Sequence, residues 1–234
     1  MVERVPSPVA HVSQVPPDIG GESAHAAGIV SAIMAKPRPT PIFFPGQMTD
    51  SHGSRVFHVS DRSDIACFRP RPPPSPDAGV TDDVVWAVSE RLLHNYLLPR
   101  DCPRVTFYAQ PASAFADVER FFAGSTAHHV VAIETAWLAR LLSGKLWLYE
   151  LPGETFSSVD DGAGYFVSRA TVTPIGVTAI RDILAALIAR DVELRVLPSL
   201  WKLRDAIFAS TLAFSFIRMR NAQPRAEPVP VIAR

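Results

Sequence analysis

Most apolar residues of this chain come in short runs that are separated by turn-forming residues. The runs are rich in β-branched and aromatic side chains, which favour strands over helices. They cover residues 56–59, 84–88, 104–109, 128–133, 145–151, 165–167, 171–177 and 193–197. We therefore expect about seven strands, with Pro174 placing the run at 171–177 on a sheet edge or at a bulge.

Helical spacing is clearest after residue 178. The positions i, i+3, i+4, i+7 and i+8 are occupied by Ile180, Ile183, Leu184, Leu187 and Ile188. Further helices are predicted from a cap at Ser89 to about residue 98, over residues 135–142, and from residue 198 onward. Together these elements predict one α+β domain over residues 55–222.

The two ends of the chain differ from this region. Residues 1–54 and 223–234 are proline-rich and lack a sustained apolar period, so both are predicted to be disordered. Met48 opens a short polar lead into the first predicted strand, which makes it an alternative start of translation to Met1. The intact mass of the natively expressed protein distinguishes these two starts.

Composition excludes several classes of protein. The 23 Lys and Arg balance the 23 Asp and Glu, which does not favour nucleic acid or an anionic membrane as a partner. Two cysteines are too few for a disulfide scaffold, and no apolar stretch reaches the ~20 residues of a membrane span. The apolar stretch at residues 26–35 is followed rather than preceded by basic residues, which argues against a signal peptide. We expect a cytoplasmic protein.

Motifs for several common sites are missing from the sequence. It has no C-x-x-C or H-x-x-x-H for a metal, no G-x-S-x-G nucleophile elbow and no G-x-x-x-x-G-K-[ST] phosphate loop. We therefore expect no metal site.

Polar groups end the first predicted strand. His58 and Ser60 are two residues apart, so they share one strand face and can together hydrogen-bond a ribose or an amide. The alternative is a capped strand end with a histidine that is satisfied within the protein.

The second predicted strand carries Trp86 and ends at Ser89, before a helix that contains Tyr96. Trp86 can stack on a planar heterocycle, and Ser89 at a helix N-terminus suits an anion. The alternative for Trp86 is an ordinary core position.

An acidic segment precedes the strand predicted at residues 165–167. It contains Glu154, Asp160 and Asp161, and Arg169 follows the strand. A carboxylate can stabilise an oxocarbenium ion in glycoside chemistry, although Asp-Asp-Gly is also an ordinary turn sequence.

Two proline-rich loops carry arginines. Residues 69–76 include Arg69 and Arg71 and are predicted to form a rigid extended loop, or a ligand for aromatic-groove domains. Residues 99–104, with the sequence PRDCPR, are predicted to form a turn that holds Arg100 and Asp101 near a nucleotide phosphate and hydroxyl, or paired with each other. Nothing points to an activated thiolate at Cys102.

The order of these segments resembles the ADP-ribosyltransferase-like fold. Its members carry H-x-[ST] on a first strand, V-[YW]-x-x-[ST] on a second strand and an acidic loop before a later strand. The matching residues here are His58 to Ser60, Val85 to Ser89 with Tyr96, and Asp160 and Asp161 before Tyr165. Residues 165–177 also look like a stretch of the rifampin ADP-ribosyltransferases. The sequence departs from the pattern in lacking the strand glutamate and in having Val59 where H-G-T members have glycine.

This resemblance implies a mixed, mainly antiparallel sheet with flanking helices, and NAD as a substrate with an undefined acceptor. The implied chemistry is dissociative cleavage of the nicotinamide glycosidic bond, by ADP-ribosyl transfer or NAD glycohydrolysis. It assigns His58 to the ribose, Ser60 or Ser89 to holding the substrate, and Asp161 to the oxocarbenium ion. The nucleotide contacts that it implies are Trp86, Tyr96, Arg69, Arg71 and Arg100.

Two alternatives stay open beside this one. The related tRNA 2′-phosphotransferases suggest phosphate chemistry on RNA with His58, Arg100 and Arg169. The missing strand glutamate suggests instead a nucleotide-binding domain without catalysis.

A second resemblance covers more of the chain. Residues 56–220 are similar to a bacterial family of unknown function that has H-x-S, V-V-W-A and P-R-D-C-P-R segments, found here at residues 58–60, 84–87 and 99–104.

Overall fold

The computed structural model of the protein describes residues 55–73 and 79–225. The strands are β1 (Val56–Ser60), β2 (Val85–Ser89), β3 (Arg104–Tyr108), β4 (His129–Glu134), β5 (Leu146–Leu151), β6 (Ser157–Asp160), β7 (Tyr165–Ser168), β8 (Gly176–Ile180), β9 (Val192–Leu197) and β10 (Ala213–Ile217). The α-helices are α1 (Phe115–Phe122), α2 (Leu138–Ser143), α3 (Ile183–Ile188) and α4 (Trp201–Phe208). Short 3₁₀ helices lie at Glu90–Asn95, Thr135–Trp137, Gly153–Thr155 and Met219–Asn221.

The strands form two sheets. One has the order β6-β7-β2-β1-β5-β8, and every neighbouring pair in it is antiparallel. The other has the order β10-β3-β4-β9, in which only β4 and β9 run parallel. The predicted α+β class with mainly antiparallel strands is confirmed.

The main core contains buried side chains from both sheets. Phe57 and Trp86 of the six-stranded sheet belong to the same apolar cluster as Val131 and Ile133 of β4. Val130 and Ala132 point to the opposite face of β4 and pack in a second cluster with residues of α1 and α4. This burial on both faces explains why β4 is a continuous apolar run rather than an alternating one.

A third cluster covers the outer face of the six-stranded sheet. Ile65 and Phe68, from the segment after β1, pack there with Tyr149 of β5. The Tyr149 hydroxyl donates to the Arg62 carbonyl at 2.8 Å and accepts from the Ile65 amide at 3.1 Å. This segment is thereby fixed beside the end of β1.

The prediction of about seven strands in one sheet is wrong, because the described residues form ten strands in two sheets. β6 lies within the segment predicted to be an acidic loop, and β10 lies within the segment predicted to be helical from residue 198 onward. Helix α1 was not predicted. Residues 1–54 and 226–234, and residues 74–78 of the first proline-rich loop, lie outside the described part, so both disorder predictions remain predictions for those residues.

The amphipathic segment after residue 178 also begins differently from the prediction. Ile180 ends β8, and α3 starts only at Ile183 because the Asp182 side chain accepts a hydrogen bond from the Ala185 amide at 2.8 Å. The run at 171–177 is not one strand: Val172 forms an isolated bridge with Phe68, and β8 begins at residue 176. Within residues 55–73 and 79–225, no helix has the length and apolar character needed to cross a bilayer.

Candidate functional site

Strands β1 and β2 separate after a short paired stretch. Only Val56 with Ser89 and Phe57 with Val88 are paired between them, whereas β1 pairs with β5 along its whole length. The gap beyond Phe57 opens a pocket of about 40 Å³. Its lining residues are Phe57, His58, Val59, Ser60, Asp61, Ala87, Val88, Tyr96, Leu98, Arg100, Arg104 and Leu146. A volume of this size holds about three water molecules or a group as small as one phosphate.

His58 bridges the gap between the two strands. Its Nδ1 lies 3.2 Å from the Trp86 carbonyl oxygen, and its ring packs against Phe68 with the centroids 4.8 Å apart. Burial lowers the pKa of His58 to about 4, and the nearby Arg100 lowers it further, while the hydrogen bond to Trp86 acts in the opposite direction. The imidazole is therefore neutral at pH 7.

The tautomer of His58 follows from its partner. A carbonyl oxygen can only accept, so the proton is on Nδ1 and donates to Trp86. Nε2 then carries the lone pair, and it is buried with no hydrogen-bond partner among the described residues. Among the described residues, His58 therefore retains an acceptor for a donor group.

Three further residues named from the sequence line the same pocket. Ser60 is buried, and its hydroxyl accepts from the Arg62 amide at 3.1 Å. Tyr96 is buried directly after the 3₁₀ helix Glu90–Asn95, and Arg100 is half-buried in the following turn. The turn is closed by the Cys102 amide, which donates to the Pro99 carbonyl at 2.9 Å.

Other predicted site residues do not line this pocket. The Trp86 indole is 4% exposed and packs edge-on against Tyr165, so only its backbone carbonyl reaches His58. Ser89 makes no side-chain cap, and the expected long helix after it is the 3₁₀ helix Glu90–Asn95. The Ser89 hydroxyl is buried without a hydrogen-bond partner among the described residues, close to where a Gly164 side chain would sit.

Asp161 lies in the turn between β6 and β7. Its carboxylate contacts the Ser158 hydroxyl, and its backbone carbonyl accepts from Arg91 at 2.8 Å. The neighbouring Asp160 accepts from the Ala163 amide at 3.0 Å, as expected for an ordinary turn. Asp161 is exposed and is not among the pocket-lining residues.

The remaining predicted arginines are also outside the pocket. Arg71 forms a backbone bridge with Val84, and Arg69 is exposed in the same segment. Arg169 pairs with Asp82 at 2.8 Å on the surface. The structure therefore does not bring Arg169 into one site with His58 and Arg100.

Two pocket residues, Asp61 and Arg104, were not found from the sequence. Asp61 follows directly after H-x-S and is an exposed residue of the pocket lining. Arg104 is only 1% exposed, which is unusual for an arginine at the start of a strand. The sequence signal for a buried Arg104 was its position at the start of the strand β3. Val105, Thr106 and Phe107, which follow it, are buried on both faces of that strand.

A second, more open cleft contains a histidine pair. His94 and His129 have ring centroids 4.3 Å apart, and Arg91 and Arg190 line the same cleft. Burial lowers the pKa of His94 to about 3 and that of His129 to about 4, and neighbouring positive charges lower both further. Both imidazoles are neutral at pH 7. No group of three or more His, Cys, Asp or Glu side chains is arranged to hold a metal ion in the described part of the chain.

Comparisons with known proteins identify a family but no activity. Searches of curated proteins and of solved structures found no match, so none supports the resemblance to ADP-ribosyltransferases. The model of a family of unknown function, DUF6886, matches residues 57–222. This segment contains both sheets and the pocket, and it confirms the expected similarity to a family of unknown function. The chain therefore belongs to the family of unknown function DUF6886.

Proposed function

We propose that this protein binds NAD, or a nucleotide with the same ribose and diphosphate groups, in the pocket between β1 and β2. The observation that carries this proposal is the convergence of His58, Ser60, Tyr96 and Arg100 on one pocket. These residues come from a strand, a 3₁₀ helix and a turn that are distant in sequence. The motifs that resemble ADP-ribosyltransferases supply His58, Ser60 and Tyr96, whereas Arg100 comes from the PRDCPR segment.

The chemistry of the lining suits a sugar and a phosphate. Nε2 of the neutral His58 can accept a hydrogen bond from a ribose hydroxyl, because its lone pair has no partner within the described residues. Ser60 adds a hydroxyl on the same strand. Arg100 is half-buried at the pocket and brings a positive charge close enough to lower the pKa of His58. Guanidinium groups bind phosphate oxygens with charge-assisted hydrogen bonds.

The pocket is too small for a whole dinucleotide. At about 40 Å³ it accommodates a single phosphate or part of a ribose. The rest of the ligand would lie over the rim, where Asp61 is exposed and Arg100 is half-buried. A thermal-shift titration tests binding: NAD and ADP-ribose are expected to raise the melting temperature, and His58→Ala is expected to abolish the rise. Equal shifts in wild type and variant would contradict the proposal.

A second candidate, NAD glycohydrolysis or ADP-ribosyl transfer, is favoured by the position of Asp61. In this reaction the bond between C1′ of the ribose and the nicotinamide nitrogen breaks, and its electron pair leaves with nicotinamide. A nearby carboxylate stabilises the resulting oxocarbenium ion until water or another acceptor attacks C1′. Asp61 lines the pocket, whereas Asp161 does not. The proposed charge-stabilising group is therefore Asp61.

Release of nicotinamide from NAD, with water as acceptor, tests this second candidate. Asp61→Asn is expected to slow release by ~10²- to 10³-fold, and Asp161→Asn is expected to have little effect. A loss confined to Asp161→Asn would support the assignment made from the sequence instead. Binding of NAD without any release would leave a nucleotide-binding domain without catalysis.

A further inference from the structure

Arg104 is a buried positive charge without a counter-ion in the described part of the chain. Its Nη1 donates to the carbonyl oxygens of Cys102 at 3.0 Å and Pro99 at 3.4 Å, while its Nε has no hydrogen-bond partner. Within residues 55–73 and 79–225 no ion pair involves this side chain, although the charge of Asp101 acts to raise its pKa. Burial lowers the pKa of Arg104, although an arginine remains charged at neutral pH. Buried charges in proteins are normally paired, so this one needs an anion.

A second arginine lies against the first. β10 pairs with β3 so that Ile217 is opposite Arg104, and Arg218 follows directly. The Nε of Arg218 is also buried without a partner among the described residues. Burial and the neighbouring charges of Arg220, Arg104 and Arg100 lower the pKa of Arg218 to about 10, with Asp101 acting in the opposite direction.

The backbone at Arg218 is strained. Its φ of 54° is in the left-handed region, which is uncommon for a residue with a Cβ. Such conformations persist where the surroundings enforce them, and they concentrate at ligand sites. The adjoining turns are tied together, because the Asn221 side chain donates to the Asp101 carbonyl at 2.7 Å. Both arginines are therefore held close to each other despite their repulsion.

Two tyrosines lie near Arg104, of which Tyr96 lines the pocket and Tyr165 packs against Tyr96 outside the lining. Tyr96 and Tyr165 have ring centroids 5.9 Å apart, and the guanidinium carbon of Arg104 is 6.0 Å from the Tyr96 ring centroid. The two hydroxyls interact with each other, and neither has a further hydrogen-bond partner among the described residues. Burial raises the pKa of both tyrosines, so both hydroxyls keep their protons and can donate.

We propose that Arg104 and the hydroxyl of Tyr96, which both line the pocket, form a site for a phosphate dianion at its inner end, and that the nearby Arg218 adds a second positive charge from outside the lining. The volume of about 40 Å³ matches a terminal phosphate group rather than a base or a complete diphosphate ester. For the remainder of the ligand this inference rests on the proposed nucleotide function. It predicts that a nucleotide with a phosphate monoester binds more tightly than NAD, whose two phosphates are both diesters, and it assigns Arg100 and Ser60 to the part of the ligand outside.

Calorimetric titration and thermal shift with inorganic phosphate, adenosine monophosphate and adenosine test this site. The buffer contains sodium chloride at matched ionic strength, so that general screening is constant. Phosphate and adenosine monophosphate are expected to bind and to raise the melting temperature, and adenosine is not. Tighter binding of adenosine monophosphate than of phosphate would identify a nucleotide as the ligand; equal affinities would identify the free anion. Absence of any effect of both phosphate compounds would overturn the proposal.

Two variants and a control locate the binding. Arg218→Met is expected to weaken phosphate binding about 10-fold, because a positive charge close to the buried anion is lost. Arg181→Met, which removes an exposed arginine between β8 and α3, is expected to leave it unchanged. Arg104→Met should also lose phosphate binding, provided that this variant folds. If Arg104→Met does not fold, Arg218→Met still tests the site. Unchanged phosphate affinity in Arg218→Met would contradict the site.

The outcomes also separate this inference from the proposed function. NAD binding that depends on His58, without phosphate binding, would remove the phosphate site and leave the proposed function in place. Phosphate binding that depends on Arg218, without NAD binding, would leave the phosphate site in place and remove the proposed function.

Discussion

Nδ1 of His58 lies 3.2 Å from the carbonyl oxygen of Trp86, across the gap where β1 and β2 separate. This contact fixes the proton of the imidazole on Nδ1 and leaves Nε2 as a buried acceptor without a hydrogen-bond partner among the described residues. It joins two motifs that are 28 residues apart in the chain.

The first prediction concerns the protonation state of His58. Because burial lowers its pKa to about 4, we expect the ring to stay neutral from pH 5 upward, with the proton on Nδ1. Nitrogen-15 NMR of the histidine rings measures both the tautomer and the titration. A ring with its proton on Nε2, or one that titrates near the ordinary value of 6.5, would be inconsistent with this site.

A second prediction is that acid destabilises the protein well above the range in which carboxylates titrate. The folded-state pKa values of His58, His94 and His129 are about 4, 3 and 4, against 6.5 for the ordinary side chain. As the pH falls below 6.5, the unfolded chain takes up protons that the folded chain does not, so the free energy of unfolding decreases until the pH reaches these lower values. Each such histidine contributes a slope of up to about 1.4 kcal/mol per pH unit.

Urea unfolding between pH 7.5 and 4.5 measures this effect, because most carboxylates remain ionised in that range. His129→Gln removes one titrating group and should make the decrease in the free energy of unfolding shallower. A free energy of unfolding that stays constant over this range would show that these histidines are not held neutral.

Much of the pocket was predictable because its signals are local. H-x-S at the end of an apolar run placed His58 and Ser60 on one face, and prolines on both sides of Arg100 indicated a fixed turn. The sequence pattern also identified the strand that carries His58 and Ser60. These inferences need only strand alternation and turn chemistry.

The proximity of Arg104 and Arg218 could not be predicted from the sequence, and the reason is physical. Arg104 meets Arg218 only because β3 pairs with β10, which lies more than one hundred residues further along the chain. The sequence did not predict β10, since the helix predicted from residue 198 onward covers its five residues. Asp161 was chosen from a local turn pattern, whereas the fold places that turn outside the pocket lining.

The third prediction concerns Cys102, which is fully buried beside Arg104. Burial raises the pKa of its thiol to about 11, so almost no thiolate exists at pH 7. Cys102→Ser is therefore expected to leave nucleotide binding within about twofold of wild type. In native protein a thiol reagent should modify the half-buried Cys67 first and reach Cys102 only on unfolding. Loss of all activity in a folded Cys102→Ser protein would mean that Cys102 is the nucleophile of a different enzyme class.

The central claim, that the pocket between β1 and β2 binds a nucleotide, is tested most directly by isothermal titration calorimetry with NAD. We predict one binding site per chain in the wild type and an affinity about 10- to 100-fold weaker in Arg100→Ala, because a charged contact to phosphate is lost. Arg181→Met serves as the matched control and should bind as the wild type does. No measurable heat of binding to the wild type, or the same affinity in Arg100→Ala, would contradict the account.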